Sequence, residues 1–123
     1  MEINTIKTEL KPNTIERLGN EYYYYNYNII EYTTTKLNEE TKEEEQVIMY
    51  EYTQIRLCGT PNYNDCAKSV IRSYISENDE FALINDYNAV QLGIKEDNGI
   101  VDEYKNYLNT VISIKEKVHK DFE

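Results

Sequence analysis

Tryptophan is absent from this 123-residue chain, and glycine, proline, cysteine and histidine are scarce, at four, two, two and one. Each shortage excludes something. The glycines, dispersed at 19, 59, 93 and 99, cannot form the glycine-rich turn that cradles a phosphate. Cys58 and Cys66 match no zinc-ligand spacing, and only His119 could join them. Two cysteines fit a chain made in a reducing cytoplasm, and both are expected to be small buried apolar residues. No apolar run approaches the ~20 residues of a membrane span, and residues 1–10 hold no apolar stretch fit for a secretory leader, so neither is expected.

What is present in excess is acid and tyrosine. Asp and Glu outnumber Lys and Arg by 23 to 13, a formal net charge of −10. Such a surface repels phosphate backbones and anionic lipid, so neither nucleic acid nor a membrane is an expected partner. The lysines gathered near the end, Lys115, Lys117 and Lys120, alternate with Glu116 and Asp121 and form a solvated helix end. The length fits one domain able to bury a core without metal or disulfide staples. Of the 40% apolar residues, however, 13 are tyrosines. The aliphatic core is therefore thin, and some apolar surface is expected to be shared with a partner.

The pattern along the chain predicts an α+β fold: an N-terminal arm, a long antiparallel tyrosine-rich β-hairpin forming a small sheet, then three α-helices. Residues 1–20 are the arm, with apolar islands at Ile3, Ile6, Leu10, Ile15 and Leu18 broken by Pro12 and Gly19, and are expected to be extended or to hold a brief strand. Residues 21–123 form a single α+β domain, with the hairpin over 21–58 and the helical part over 62–122. Residues 21–37 are dense in aromatic and β-branched side chains. In 46–58 the residues alternate, placing Val47, Met49, Ile55 and Leu57 on one face and Ile48, Tyr50, Tyr52 and Arg56 on the other. Between the strands, NEETKEEE over 38–45 makes an acidic tip.

The first helix follows Gly59-Thr60-Pro61, with Asn62 as its expected N-cap and Cys66, Val70, Ile71 and Tyr74 on one side. Ser76 and Asp79 open a second, bearing Phe81, Ile84, Tyr87, Ala89 and Leu92 and closing at Gly93. The third begins near residues 97–99 and carries Val101, Tyr104, Leu108, Val111, Ile112 and Val118. Asp102 and Glu103 in its first turn and His119 and Lys120 in its last complement the helix dipole.

No constellation of residues describes a reaction. His119 has no Ser or Cys at a recognisable spacing. With 23 acidic residues, chance carboxylate pairs are unavoidable, and acid–base work needs one carboxylate in an apolar pocket rather than on a loop tip. Residues 39–45 lack the Asp/Asn alternation and turn glycine of a calcium loop. The expectation is therefore a non-enzyme, with no catalytic, cofactor-binding or metal-binding residues. The tyrosines are the expected site instead: Tyr22, Tyr23, Tyr24, Tyr25 and Tyr27 in one strand and Tyr50 and Tyr52 in the other. Within a strand they point to both faces, one able to enter a core and the other offering phenols to a partner. Tyrosine suits interfaces because it combines a large apolar area with a polar tip and little rotamer entropy. The blander alternatives are that all are core, or that they follow a codon bias shared with the many Asn, Ile and Lys residues.

Four segments, YYNYNI at 24–29, IRLCGTPNY at 55–63, SVIRSYIS at 69–76 and FALINDYNA at 81–89, give the chain a family likeness. Across residues 22–120 it resembles small proteins encoded by phages of gut Bacteroidales, including the crAss-like phages, typically among virion structural genes. The resemblance implies a non-enzymatic virion component related to a head or tail fibre, made in the host bacterial cytoplasm and residing in the virion. It supplies no functional residues. The expected partners are other virion proteins, fibre or capsid, and further copies of the chain, with a dimer favoured. Two rivals come from other classes. A cytoplasmic tail-fibre assembly chaperone would be absent from the mature particle. An acidic mimic of nucleic acid would gather its carboxylates into one patch, whereas here they are spread along the chain.

Overall fold

The computed structural model describes residues 2–123 and has the α+β architecture, a four-stranded antiparallel sheet followed in sequence by three helices. The strands are β1 (Glu2–Thr8), β2 (Ile15–Arg17), β3 (Tyr22–Leu37) and β4 (Glu44–Cys58). The helices are α1 (Tyr63–Tyr74), α2 (Glu77–Gln91) and α3 (Ile100–Asp121). The chain divides into two compact units, Met1–Asn62 and Tyr63–Glu123.

In the first unit the strand order is β1-β4-β3-β2, so the residues read as an arm supply both edge strands. β1 pairs with β4 from Glu2↔Arg56 to Thr8↔Tyr50, and β2 with β3 over Ile15↔Tyr25 to Arg17↔Tyr23. The link between β1 and β2 must therefore cross a whole face of the sheet. Three strand spacings are roughly 14 Å, within reach of the six residues 9–14. It crosses over Asn26 and Tyr52: Asn26 donates from its backbone N–H to the Thr14 carbonyl at 2.8 Å and from Nδ2 to the Asn13 carbonyl at 2.7 Å. Leu10, Pro12 and Asn13 line a cleft with Ile6 and Tyr52. Gln54, opposite Asn26 in β4, donates to its Oδ1 at 3.3 Å. A buried amide is thus satisfied from both sides, as burial requires.

β2 and β3 meet in a tight turn at Gly19–Tyr22, where Asn20 and Glu21 both have positive φ, 61° and 65°. That is the conformation whose twist suits a two-residue hairpin, with glutamate standing where glycine is usual.

The β3–β4 register contains one irregularity with a large consequence. Tyr27 pairs with Thr53 and Ile30 with Glu51, so Asn28 and Ile29 together stand opposite Tyr52. Asn28 takes φ 55°, a left-handed conformation that asparagine tolerates better than most residues. Because antiparallel partners share a face, the bulge shifts the phase of the strand. Tyr23, Tyr25 and Tyr27 lie on the face of Leu57, Ile55 and Thr53, but beyond the bulge Ile30, Tyr32 and Thr34 continue that face opposite Glu51, Met49 and Val47.

Burial in this unit is confined to the near end of the hairpin. Tyr23, Tyr25 and Ile55 are buried on one face, and Asn26 and Tyr52 on the other.

In the second unit α1 buries Cys66, Ala67, Ser69, Val70 and Ile71, while Tyr74, expected on that side, is exposed. α2 begins where Ser76 caps it, its Oγ accepting from the Asp79 N–H at 3.1 Å. It ends in a Schellman arrangement about Gly93 (φ 73°), with Gly93 N–H to the Val90 carbonyl and Ile94 N–H to the Ala89 carbonyl. None of its residues is buried. Its apolar residues at 81, 82, 83, 84, 87, 89 and 90 lie around the whole helix, so no single face can be covered, and Phe81 and the C-cap Leu92 are exposed. In α3 the buried stripe is Tyr107, Ile114 and Val118, whereas Leu108 and Ile112 are exposed. Relative to the expected stripe the helix is turned so that Tyr107 is buried. Cys58, expected to be buried, is exposed at the end of β4, and Cys66 is buried.

Candidate interaction surface

The seven expected tyrosines separate into two groups. Tyr23, Tyr25 and Tyr52 are buried, so their rings already contribute to the fold. Tyr22, Tyr24, Tyr27 and Tyr50 keep accessible surface. Tyr22 lies under the Arg56 guanidinium, 4.4 Å from ring centroid to Cζ, a cation–π contact at the near end of the hairpin. Tyr27 packs against Tyr25 at a centroid distance of 6.2 Å and an interplanar angle of 49°. Tyr50 donates its hydroxyl to Glu31 Oε1 at 3.1 Å, which holds its pKa above the ordinary tyrosine value. Tyr22, Tyr24, Tyr50 and Tyr52 share one face by register, and Tyr23, Tyr25 and Tyr27 the other.

Beyond the bulge the hairpin continues as a two-stranded ribbon, residues 30–37 against 44–51. β1 flanks β4 only as far as Tyr50, and β2 flanks β3 only at residues 23–25. The ribbon carries exposed Ile30, Leu37 and Ile48 together with half-buried Tyr32, Val47, Met49 and Tyr50. These apolar residues occupy both faces: Ile30, Tyr32, Val47 and Met49 on one, Leu37, Ile48 and Tyr50 on the other. An isolated two-stranded hairpin is at best marginally stable in water, so a ribbon this long and this apolar is suited to being covered.

The tip is ordered by Asn38. Its Oδ1 accepts from the Glu40 N–H at 2.9 Å, its Nδ2 donates to Glu45 Oε1 at 2.8 Å, and its carbonyl accepts from the Lys42 N–H at 2.7 Å. Beside it, Glu9, Lys36, Leu37, Glu39, Glu45 and Val47 line an open depression of about 550 Å³. Its carboxylates surround one lysine, which makes the end of the ribbon acidic.

The helical unit holds a polar cluster that sequence patterning did not reveal. Arg72 of α1 donates from one terminal nitrogen to Glu80 Oε1 of α2 at 2.9 Å and from the other to the Ile75 carbonyl at 3.3 Å. The Tyr107 hydroxyl of α3 donates to Glu80 Oε2. Glu80 is therefore gripped from two helices, with its side chain only 14% exposed. The Tyr107 hydrogen bond, joined by Arg72, holds its carboxyl below the ordinary range, and burial together with Glu80 pushes Tyr107 up to about 12. Arg72 Nε has no hydrogen-bond partner and faces Glu77 at 3.8 Å. Tyr104 continues the cluster outward, stacked on Tyr87 at 4.1 Å and 16°. No sequence spacing signals this arrangement, because its members lie on three different helices. Both carboxylate oxygens of Glu80 are occupied by the protein's own donors. His119 meets the edge of Tyr63 at 5.7 Å.

Among the described residues no three of His, Cys, Asp and Glu converge to hold a metal ion, and no helix is long and apolar enough to cross a membrane. Comparison with protein-family models, curated proteins and solved structures gives no match.

Proposed function

We propose that this chain is a non-enzymatic structural or accessory protein of a bacteriophage virion, associated with a head or tail fibre and acting through protein–protein interfaces as a homo-oligomer. The observation that carries the interface part is the distal ribbon, whose apolar residues lie exposed on both faces around Ile30, Leu37 and Ile48. The net charge of −10 and the acidic tip favour a basic fibre or capsid surface as the partner of assembled copies. The particle itself comes from the resemblance of residues 22–120 to virion-associated phage proteins.

Quantitative mass spectrometry of gradient-banded virions against whole lysate tests this. Co-enrichment with the capsid protein at a fixed stoichiometry is expected, and the ratio would indicate the symmetry the protein decorates. Abundance in lysate with loss from banded particles would overturn the virion assignment in favour of a cytoplasmic assembly chaperone.

A further inference from the structure

We propose that the open edge of β3 beyond the bulge is a self-pairing edge, through which two copies of the chain join antiparallel about Thr33 and continue one sheet across a two-fold axis. This deepens the homo-oligomer proposed above and rests on that part of it.

The first support is the direction of the backbone groups. At the near end of β3 the Tyr22 carbonyl accepts from the Leu18 N–H and the Asn26 N–H donates to the Thr14 carbonyl, so residues in this phase turn their backbone groups toward β2, away from β4. Within one strand of L-residues, side-chain face and hydrogen-bonding direction alternate together. Tyr22 and Asn26 share their face with Glu31, Thr33 and Thr35, which follow the bulge. The N–H and C=O groups of Glu31, Thr33 and Thr35 therefore point to the open side, and among the described residues no strand pairs there. The free rim, residues 30–37, is roughly 27 Å long.

The second support is the absence of the devices that usually protect such an edge. Natural edges are short, or are blunted by lysine, proline or a bulge. This rim contains three consecutive threonines, no proline and one lysine, and its bulge lies before it rather than within it. Thr33, Thr34 and Thr35 are all exposed.

The third support is charge. A second copy of a −10 chain is repelled on average, but this rim is locally neutral, with Glu31 and Lys36 as its charges. Both are already engaged within the chain, Glu31 with the Tyr50 hydroxyl at 3.1 Å and Lys36 with Glu9 at 3.7 Å. Two-fold symmetry across paired antiparallel strands requires like faces to meet, so a residue must oppose one of its own parity. Centred on Thr33, the pairs are Ile30 with Lys36, Glu31 with Thr35, and Tyr32 with Thr34. No like charges face each other, and the three outward residues supply roughly six interchain N–H···O=C bonds. The open part of β4 is a poorer candidate, because Glu44 and Glu45 lie on it.

Sedimentation velocity on the full chain across the micromolar range tests the proposal. The wild type is expected to form a reversible dimer. Thr33→Pro removes one outward N–H and leaves the β4 ladder intact, and is expected to weaken association more than about tenfold. Thr33→Lys is expected to do the same by opposing two lysines at the axis, although it lowers the net negative charge. Thr33→Val is expected to keep the dimer. Amide exchange on the wild type supplies a readout free of any folding defect: protection of the Glu31, Thr33 and Thr35 amides should rise with concentration, while that of Ile30, Tyr32 and Thr34 should not. A dimer that survives both the proline and lysine variants, with no concentration-dependent protection at those amides, would overturn the edge while leaving homo-oligomerisation in place. A wild type that stays monomeric throughout would overturn both.

Discussion

Replacing Glu80 with alanine should destabilise the helical unit by about 2–3 kcal/mol and lower its Tm by roughly 10 °C. Glu80 receives the Arg72 guanidinium and the Tyr107 hydroxyl, and at 14% exposure it is largely removed from water. Its removal leaves Arg72, whose Nε already lacks a hydrogen bond, as a mostly buried charge offset only by the more exposed Glu77 at 3.8 Å. The double change Arg72→Ala with Glu80→Ala should therefore cost less than the sum of the two single changes, because the orphaned charge leaves as well. The pH dependence follows from the same cluster. Folding lowers the Glu80 pKa, so its contribution is present above the ordinary carboxylate value and is lost as pH falls through the lowered one. Folding raises Tyr107 from 10.0 to about 12, so stability is lost as pH rises between those values. In urea titrations across pH, Glu80→Gln should flatten the acid limb and Tyr107→Phe the alkaline one. Unchanged profiles in both variants would show that the cluster does not hold the helices together in solution.

The tyrosines should divide just as sharply. Tyr25→Ala should cost about 3–5 kcal/mol, the range for deleting a buried aromatic ring, because Tyr25 is completely buried beside Ile55. Tyr22→Ala, at a residue 39% exposed, should cost less than about 1 kcal/mol. Denaturant midpoints measured on the two variants separate core from surface. Equal losses would mean that the strand's tyrosines act as one packed block, with none available to a partner.

Much of the architecture was legible because periodicity and turn chemistry agreed. The alternation in β4 gave both of its faces, and Ser76 and Gly93 marked the ends of α2 where the chain places them. The Asn28–Ile29 bulge could not be read in this way. Tyr-Asn-Tyr-Asn-Ile-Ile continues as an unbroken β-rich run, yet one added residue turns Ile30 and Tyr32 onto the face that Tyr23 and Tyr25 occupy. The arm, expected to be extended or to hold a brief strand, holds two, and their place as the two sheet edges was not legible: Ile3, Ile6 and Ile15 are too widely spaced to mark a face, and only the neighbouring β3 and β4 complete their hydrogen bonds. In α3 the stripe drawn from aliphatic spacing favoured Leu108 and Ile112. Tyr107 took the buried position because its hydroxyl has Glu80 to bond, which no count of apolar residues includes. Of the candidate surface, composition pointed to the tyrosines, while the exposed ribbon was set by how far β1 and β2 extend along their neighbours.

That ribbon is the centre of the account, and cross-linking mass spectrometry with an amine-reactive reagent on infected-cell lysate and banded particles addresses it most directly. Lys36 and Lys42 are reporters in and beside the ribbon tip, and Lys105, Lys115, Lys117 and Lys120 report on α3. Links from Lys36 and Lys42 to other copies of the chain or to fibre or capsid proteins are the predicted result. Intermolecular links confined to the α3 lysines, with Lys36 and Lys42 carrying only dead-end modifications whose second reactive group was lost to water, would contradict it and place the interface on the helical unit.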